Sequence, residues 1–219
     1  MDETRRETVL CHLKEAGVIA ILRGQNPSRM IQRGLTLAEM GCSALEVTLD
    51  SPQALEIVKA LRQQLPPTVM VGVGTLLDVG LVKSCVEAGA EFALSPTHPA
   101  EMIEHCHATD ILAVPGVSNT QELEQAIAAD ACIAKLFPAT EWTHEQLTSV
   151  SLPWMPVGGV DEKSVWQWLD AGAWCVGMGS NLCGSDLSDE EGESITWTES
   201  EEQTARDIFM ELQRRRSDA

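Results

Sequence analysis

The sequence predicts an α/β fold, a single (β/α)8 barrel of the TIM type with one extra helix at each end. Three observations carry that prediction. Eight short apolar segments alternate with amphipathic segments of helical period. The short segments are apolar on both faces, as the strands of a parallel sheet are when it is buried on both sides. Eight such units in one chain of 219 residues suit a closed barrel better than an open sheet. An open doubly wound sheet would carry a G-x-G-x-x-G turn after its first strand. The first turn here is Arg23-Gly24-Gln25-Asn26-Pro27.

The elements follow in order. Residues 4–16 have helical spacing, with Val9, Leu10 and Leu13 on one face and Gly17 as the stop. Residues 18–22 form the first strand, and 27–40 a helix closed by Gly41. Strands are predicted at 44–49, 69–73, 92–94 and 111–114, with helices at 52–64, 78–88, 99–107 and 120–129, the last capped by Thr120. A strand around Lys135 follows, ending before Pro138, which cannot donate to a ladder. Then come a short helix at 143–150, a strand at 155–157, a helix at 162–171 and a last strand at 174–176. An acidic loop spans about 184–199, and the final helix spans about 200–215, its arginines at the negative end of the helix dipole. Ala88-Gly89-Ala90 recurs as Ala171-Gly172-Ala173, each a helix end feeding a strand. No domain boundary interrupts residues 1–219, which read as one barrel domain.

Charge and cysteine usage narrow the function. A formal charge of −18 excludes a cationic footprint for nucleic acid and disfavours anionic membrane surfaces. Asp186, Asp189, Glu190, Glu191 and Glu193, with Glu199, Glu201 and Glu202, read as a solvated loop and helix start. Seven scattered cysteines without a C-x-x-C pair fit a reducing compartment. The polar start of the chain lacks a secretory pattern, and the cytoplasm is the expected location. His105-Cys106-His107 sits in a helix, where neighbours two apart do not share a face, so no metal is expected.

The chain has five lysines, and four of them lie on predicted exposed helix surfaces. Lys135 alone lies in an apolar strand, Cys132-Ile133-Ala134-Lys135-Leu136-Phe137. Burial disfavours the ammonium form and produces a nucleophilic amine, although a lysine stem can also pack on apolar neighbours while its head reaches water. Glu46 sits between Leu45 and Val47 and faces opposite to them. A carboxylate there needs a partner, and Lys135 and Arg23 are the candidates. Beside an amine it can move protons, and a structural ion pair is the alternative. In a barrel, chemistry sits at the carboxyl ends of the strands. Those ends hold Arg23, Glu46, Thr48, Thr75, Ser95, Pro96, Lys135 and two glycine pairs. The pairs, Gly158-Gly159 and Gly177-Met178-Gly179-Ser180, follow the last two strands, where barrels often bind phosphate.

These residues stand in a familiar order: Ile21-Leu22-Arg23-Gly24, Leu45-Glu46-Val47-Thr48-Leu49, Gly72-Val73-Gly74-Thr75-Leu76, Ser95-Pro96, Val114-Pro115-Gly116, Lys135-Leu136-Phe137-Pro138-Ala139, Gly158-Gly159-Val160 and Gly179-Ser180. The chain resembles the class I 2-keto-3-deoxy-6-phosphogluconate (KDPG) aldolases, whose family includes the phosphogalactonate (KDPGal) and 4-hydroxy-2-oxoglutarate (KHG) aldolases. The resemblance covers about residues 15–183. It implies that Lys135 forms a Schiff base with the C2 ketone and that Glu46 shuttles protons. It implies that Thr75 and Arg23 hold the carboxylate, that Gly158, Gly159, Gly179 and Ser180 hold the phosphate, and that Pro96 and Val157 complete the substrate contacts. The implied products are pyruvate and glyceraldehyde 3-phosphate. No metal or organic cofactor is implied, and the implied assembly is a homotrimer.

Two departures bear on specificity. Many gluconate-type members carry arginine four residues after the glutamate, where this chain has Asp50, which shifts the carboxylate contact to Arg23. Gluconate-type members also tend to have threonine before the Gly-Gly pair, where this chain has Val157, more like the galactonate branch. The alternatives are an aldolase for unphosphorylated 4-hydroxy-2-oxoglutarate and a phosphosugar-binding barrel without catalysis.

Overall fold

Strands and helices alternate in the computed structural model, which describes residues 1–148, 150–188 and 197–218. Helix α1 (Glu3–Ala16) starts at Asp2, whose side chain accepts from the Arg5 N–H, and stops at Gly17. The first half of the chain runs β1 (Val18–Leu22), α2 (Pro27–Glu39), β2 (Ala44–Thr48), α3 (Ala54–Gln64), β3 (Met70–Gly74), α4 (Val82–Ala88), β4 (Phe92–Leu94) and α5 (Ala100–Ala108). The second half runs β5 (Leu112–Val114), β6 (Gly116–Val117), α6 (Thr120–Ala128), β7 (Ala134–Leu136), α7 (His144–Leu147), β8 (Trp154–Pro156), α8 (Ser164–Asp170), β9 (Val176–Met178), α9 (Ser180–Cys183) and α10 (Glu199–Ser217).

The strands pair in parallel in two sheets, a six-stranded one in the order β5-β4-β3-β2-β1-β9 and a three-stranded one in the order β6-β7-β8. The expectation of one closed eight-stranded ladder is corrected to this pair of sheets. Past the predicted fifth strand (111–114) the chain forms a short strand that was not predicted, β6, separated from β5 by Pro115, which has no N–H to give. Before it, β5 pairs with β4; after it, β6 pairs with β7, and the Gly116 N–H turns to the Thr97 carbonyl. At the other junction the Trp174 N–H donates to the Trp154 carbonyl, and Val157 forms a parallel bridge with Gly177.

Side chains alternate between two cores, as strand geometry demands. Val18, Ala20, Leu22, Leu45, Val47, Val71 and Val73 face the helices. Ile19, Ala44, Met70, Phe92, Leu112, Ile133, Met155 and Cys175 face inward and form one cluster across both sheets. Val9, Leu13 and Ala16 of α1 join that inner cluster, at the amino-terminal side of the strands. Fully burying a ring such as Phe92 is worth about 2–3 kcal/mol, and its ring lies where a Cβ on Gly72 would fall, at 2.3 Å.

Three local expectations are corrected. Strand β9 begins at Val176, not 174, because the Val176 N–H bonds to the Gly17 carbonyl and the register sets Val18 opposite Val176. Gly177 is therefore a strand residue, with a Cβ position 2.7 Å from Val157 Cγ2. Helix α6 is capped by Asn119, whose side chain accepts from the Glu122 N–H, one residue before Thr120. Asp186 is not in a solvated loop: it is buried and paired with Arg33. The rest of the predicted acidic run, 189–196, lies outside the described residues. Helix α10 starts with a capping box between Thr198 and Glu201 and ends in Arg214, Arg215 and Arg216. All seven cysteines are free, and among the described residues no helix is long and apolar enough to cross a membrane.

Candidate active site at the carboxyl ends of the strands

Glu46 faces the interior from β2, because Leu45 and Val47 on either side face the helices. It is 4% exposed, and its Oε2 has no hydrogen-bond partner among the described residues. Burial pushes its carboxyl up to about 7, against the opposing pull of Lys135 and then Arg23. The room for it comes from Gly74 at the end of β3: a Cβ there would fall 1.5 Å from Glu46 Oε1.

Lys135 faces inward from β7, between the outward Ala134 and Leu136. It is 7% exposed, and burial lowers its pKa, opposed by Glu46. Each group is thus the largest charge acting on the other. Among the described residues no ion pair within 4.0 Å joins them, so the structural salt bridge is not formed. The Lys135 Nζ lies 5.2 Å from the centre of the Phe137 ring, a cation–π approach from the next residue on the same face.

Arg23 follows β1. Its Nη2 donates to Thr75 Oγ1 at 2.9 Å, and its Nε lies 3.4 Å from Asp50 Oδ2. The arginine thus pairs with Asp50 and not with Glu46. Thr75 takes a left-handed backbone, φ 56°, strained for a β-branched residue, and that turn brings its hydroxyl to Arg23. Pro96 follows β4, beside the buried Ser95.

Opposite these, Val157, Gly158 and Gly159 follow β8. The two glycines have φ of 87° and 81°, a conformation side chains rarely adopt, and a Cβ on Gly158 would meet the Phe137 ring at 2.8 Å. Gly179 and Ser180 follow β9, and Asn181 Nδ2 donates to the Val160 carbonyl at 2.9 Å, tying the two glycine turns together. The two proposed catalytic residues and the eight proposed substrate contacts border one cavity of ≈ 490 Å³, whereas Thr48 and Ser95, also at strand ends, are buried and do not line it.

The cavity also holds residues that sequence reasoning assigned no part. Phe137 was visible as the residue two after Lys135. Asn181 carried no local signal in the sequence, and Gly184 and Leu187 fell in a stretch read as solvated. Among the described residues no cluster of histidine, cysteine and carboxylate side chains could hold a metal.

The arrangement puts a buried lysine, a buried carboxyl with a raised pKa, an arginine and two glycine turns around one cavity. Comparison with known proteins identifies the family. Residues 9–197 match the family described as KDPG and KHG aldolase. The chain is 27% identical to the 2-dehydro-3-deoxy-6-phosphogalactonate aldolase of Escherichia coli K12 over 171 residues, 75% of this chain and 83% of the relative. It is 30% identical to the 2-dehydro-3-deoxy-phosphogluconate aldolase of Zymomonas mobilis over 152 residues, 64% of this chain and 72% of that one. A solved native KDPGal structure superposes with a TM-score of 0.76 at 26% identity, covering 92% of this chain and 96% of its own. The chain therefore belongs to the KDPG and KHG aldolase family of carbon–carbon lyases.

Proposed function

We propose that this lyase is a Schiff-base aldolase cleaving a 2-keto-3-deoxy-6-phosphosugar acid, of the gluconate or galactonate series, to pyruvate and glyceraldehyde 3-phosphate. The observation that carries this reading is the placing of buried Lys135 and buried Glu46 on one cavity bordered by glycine turns.

Lys135 attacks the C2 ketone, and the carbinolamine loses water to give a protonated imine. Glu46 supplies the proton for the departing hydroxyl. As carboxylate it then takes the C4 hydroxyl proton, directly or through a water. The C4 oxygen forms the aldehyde carbonyl as the C3–C4 bond breaks, and that bonding pair moves into a C2–C3 enamine. A proton added at C3 and hydrolysis of the imine release pyruvate and free the lysine. A carboxyl near pH 7 can both give and take a proton in this cycle. Arg23, held by Thr75, faces the substrate carboxylate. The turns at Gly158-Gly159 and Gly179-Ser180 let the backbone approach the phosphate. Pro96 and Val157 complete the walls, and valine in place of the gluconate-type threonine favours the galactonate epimer.

The test is incubation with pyruvate, borohydride reduction and peptide mass spectrometry. A stable adduct on Lys135 is expected. A folded protein without adduct, or unchanged cleavage by Lys135→Ala, overturns the reading. Comparing turnover of both epimers and of unphosphorylated 4-hydroxy-2-oxoglutarate then sets the substrate, and Val157→Thr is expected to move the epimer ratio toward gluconate by about 10-fold.

We also infer one aldolase domain of (β/α)8 type, in which β5 and β6 count as one strand through Pro115 and the two sheets close on each other through local contacts, not through one continuous ladder. The Trp174–Trp154 hydrogen bond and the Val157–Gly177 bridge support the closure. A homotrimer is proposed with it: Leu77 and Met210, 68% and 58% exposed, are apolar surface an assembly would bury. Sedimentation analysis tests it.

A further inference from the structure

Arg33 on α2 is a buried arginine outside the cavity. Its Nη2 donates to both carboxylate oxygens of Asp186 at 2.9 Å. Its guanidinium carbon also lies 4.0 Å from the centre of the Trp197 ring. Residues 186 and 197 stand on either side of the acidic run, so one arginine holds a described residue from each side of it. The site is tight. Gly184 has φ 82°, and a Cβ on it would lie 2.6 Å from Arg33 Nη1 and 2.7 Å from both Asp186 Oδ1 and Trp197 Cδ1.

The segment from Gly184 to Leu187 crosses from β9 to the turn after β1. There the Leu187 carbonyl accepts from the Gln25 N–H at 2.8 Å, and a Cβ on Gly24 would fall 2.2 Å from the same oxygen. The other side of that turn is held by Ser51 Oγ, which accepts from the Gly24 N–H and meets Thr48 Oγ1 at 3.0 Å. Gly184 and Leu187 themselves border the cavity. In the sheet order β1 adjoins β9, whereas Lys135 lies on β7 in the other sheet. The strap begins at the turn after β9, where the Gly184 N–H donates to the Ser180 carbonyl at 2.9 Å, in the other sheet from the amine.

A buried ion pair is weak evidence for stability, because desolvation offsets most of its attraction. What the pair contributes here is position. We propose that Arg33 is a positioning residue whose buried pair with Asp186 seats the Gly184–Leu187 strap against the Gly24-Gln25 turn, so that Leu187 closes the cavity around the phosphate-bearing half of the substrate. This rests on the aldolase reading above for the identity of the substrate, not for the strap itself.

The test compares the full-length protein with Arg33→Met, Arg33→Lys and the double variant Arg33→Met/Asp186→Leu. The first readout is independent of activity: amide exchange at Gln25, whose N–H the strap protects. Arg33→Met is expected to speed it by at least about 10-fold, with the amides of β1 and β2 unchanged. The second is kinetic: KM for the phosphorylated substrate rises about 10-fold while kcat and the rate of pyruvate trapping on Lys135 stay within about 3-fold. Arg33→Lys keeps the charge but loses the planar guanidinium over the Trp197 ring, and is expected to fall between wild type and Arg33→Met. The double variant leaves no uncompensated buried charge and guards against simple misfolding. It is expected to regain thermal stability while Gln25 exchange and KM stay raised. Wild-type exchange at Gln25 in Arg33→Met overturns the proposal, as does a double variant in which stability, exchange and KM all recover together. Wild-type protein that traps no pyruvate overturns the aldolase reading alone, and exchange at Gln25 still decides the strap.

Discussion

The carboxylate of Glu46 lies where the side chain of residue 74 would begin: a Cβ on Gly74 would sit 1.5 Å from Oε1 and 2.5 Å from Cδ. The absence of a side chain on β3 is what lets the acid on β2 lie flat inside the fold. Gly74→Ala therefore expels the carboxylate, the flexible end of a long side chain, and leaves the backbone in place. We expect thermal stability close to wild type and a fall in kcat of at least about 100-fold, the scale of a lost proton-transfer group. Steady-state kinetics beside a melting curve check it; wild-type kcat would mean that Glu46 is not needed where it lies.

The raised carboxyl of Glu46 also ties stability to pH. Its pKa is about 7 in the folded protein against 4.5 unfolded. Between these values the folded state binds the extra proton, so stability falls as pH rises through that window, by an amount on the order of 3 kcal/mol. Glu46→Gln removes the effect. Denaturant unfolding at pH 5 and pH 8 should show the variant gaining on wild type at the higher pH, with activity lost at both.

Lys135 has the opposite chemistry. Its folded pKa lies below the unfolded 10.5, so the ammonium is disfavoured inside. The penalty is full below the folded pKa and disappears as pH rises toward 10.5. Lys135→Met keeps length and volume without the charge. It is expected to abolish turnover and raise stability at pH 7 by about 1–2 kcal/mol, the exchange of stability for function found at active sites. Equilibrium unfolding in urea measures it, and a less stable variant would contradict the assignment of burial as the cause.

Gly179 separates the proposed phosphate contact from folding. Its φ is −93°, and a Cβ on it meets nothing within 4 Å, yet it borders the cavity. Gly179→Ala is thus expected to melt within a few degrees of wild type, as surface changes do. A raised KM for the phosphorylated substrate and unchanged pyruvate trapping should accompany it. Parallel losses in both assays would place Gly179 elsewhere in the reaction.

Much of the site was readable because its residues break a local pattern. Lys135 is the one lysine in an apolar strand, Glu46 interrupts Leu45 and Val47, and the glycine turns follow strands where a backbone must bend. Period-2 and helical patterns placed the alternating elements, because each has only one way to bury its apolar face. Other relationships left no local trace. Arg33 looks like any helix arginine, and Asp186 like one more acid in a charged run. They are buried because residues 153 positions apart meet. Asp50 was visible as a departure from the family pattern, but its pairing with Arg23 was not.

The chain by itself determined which segments are strands and helices, which side chains face inward and which residue types carry chemistry, because these follow from spacing along one element. Only the tertiary structure decided what depends on contacts between elements. Pro115 separates β5 from β6, and the two pair in different sheets because neighbours on both sides compete for them. The register with β1 starts β9 at Val176. Gly74 makes room for Glu46 from the next strand, and Arg33 pairs with Asp186 away from solvent.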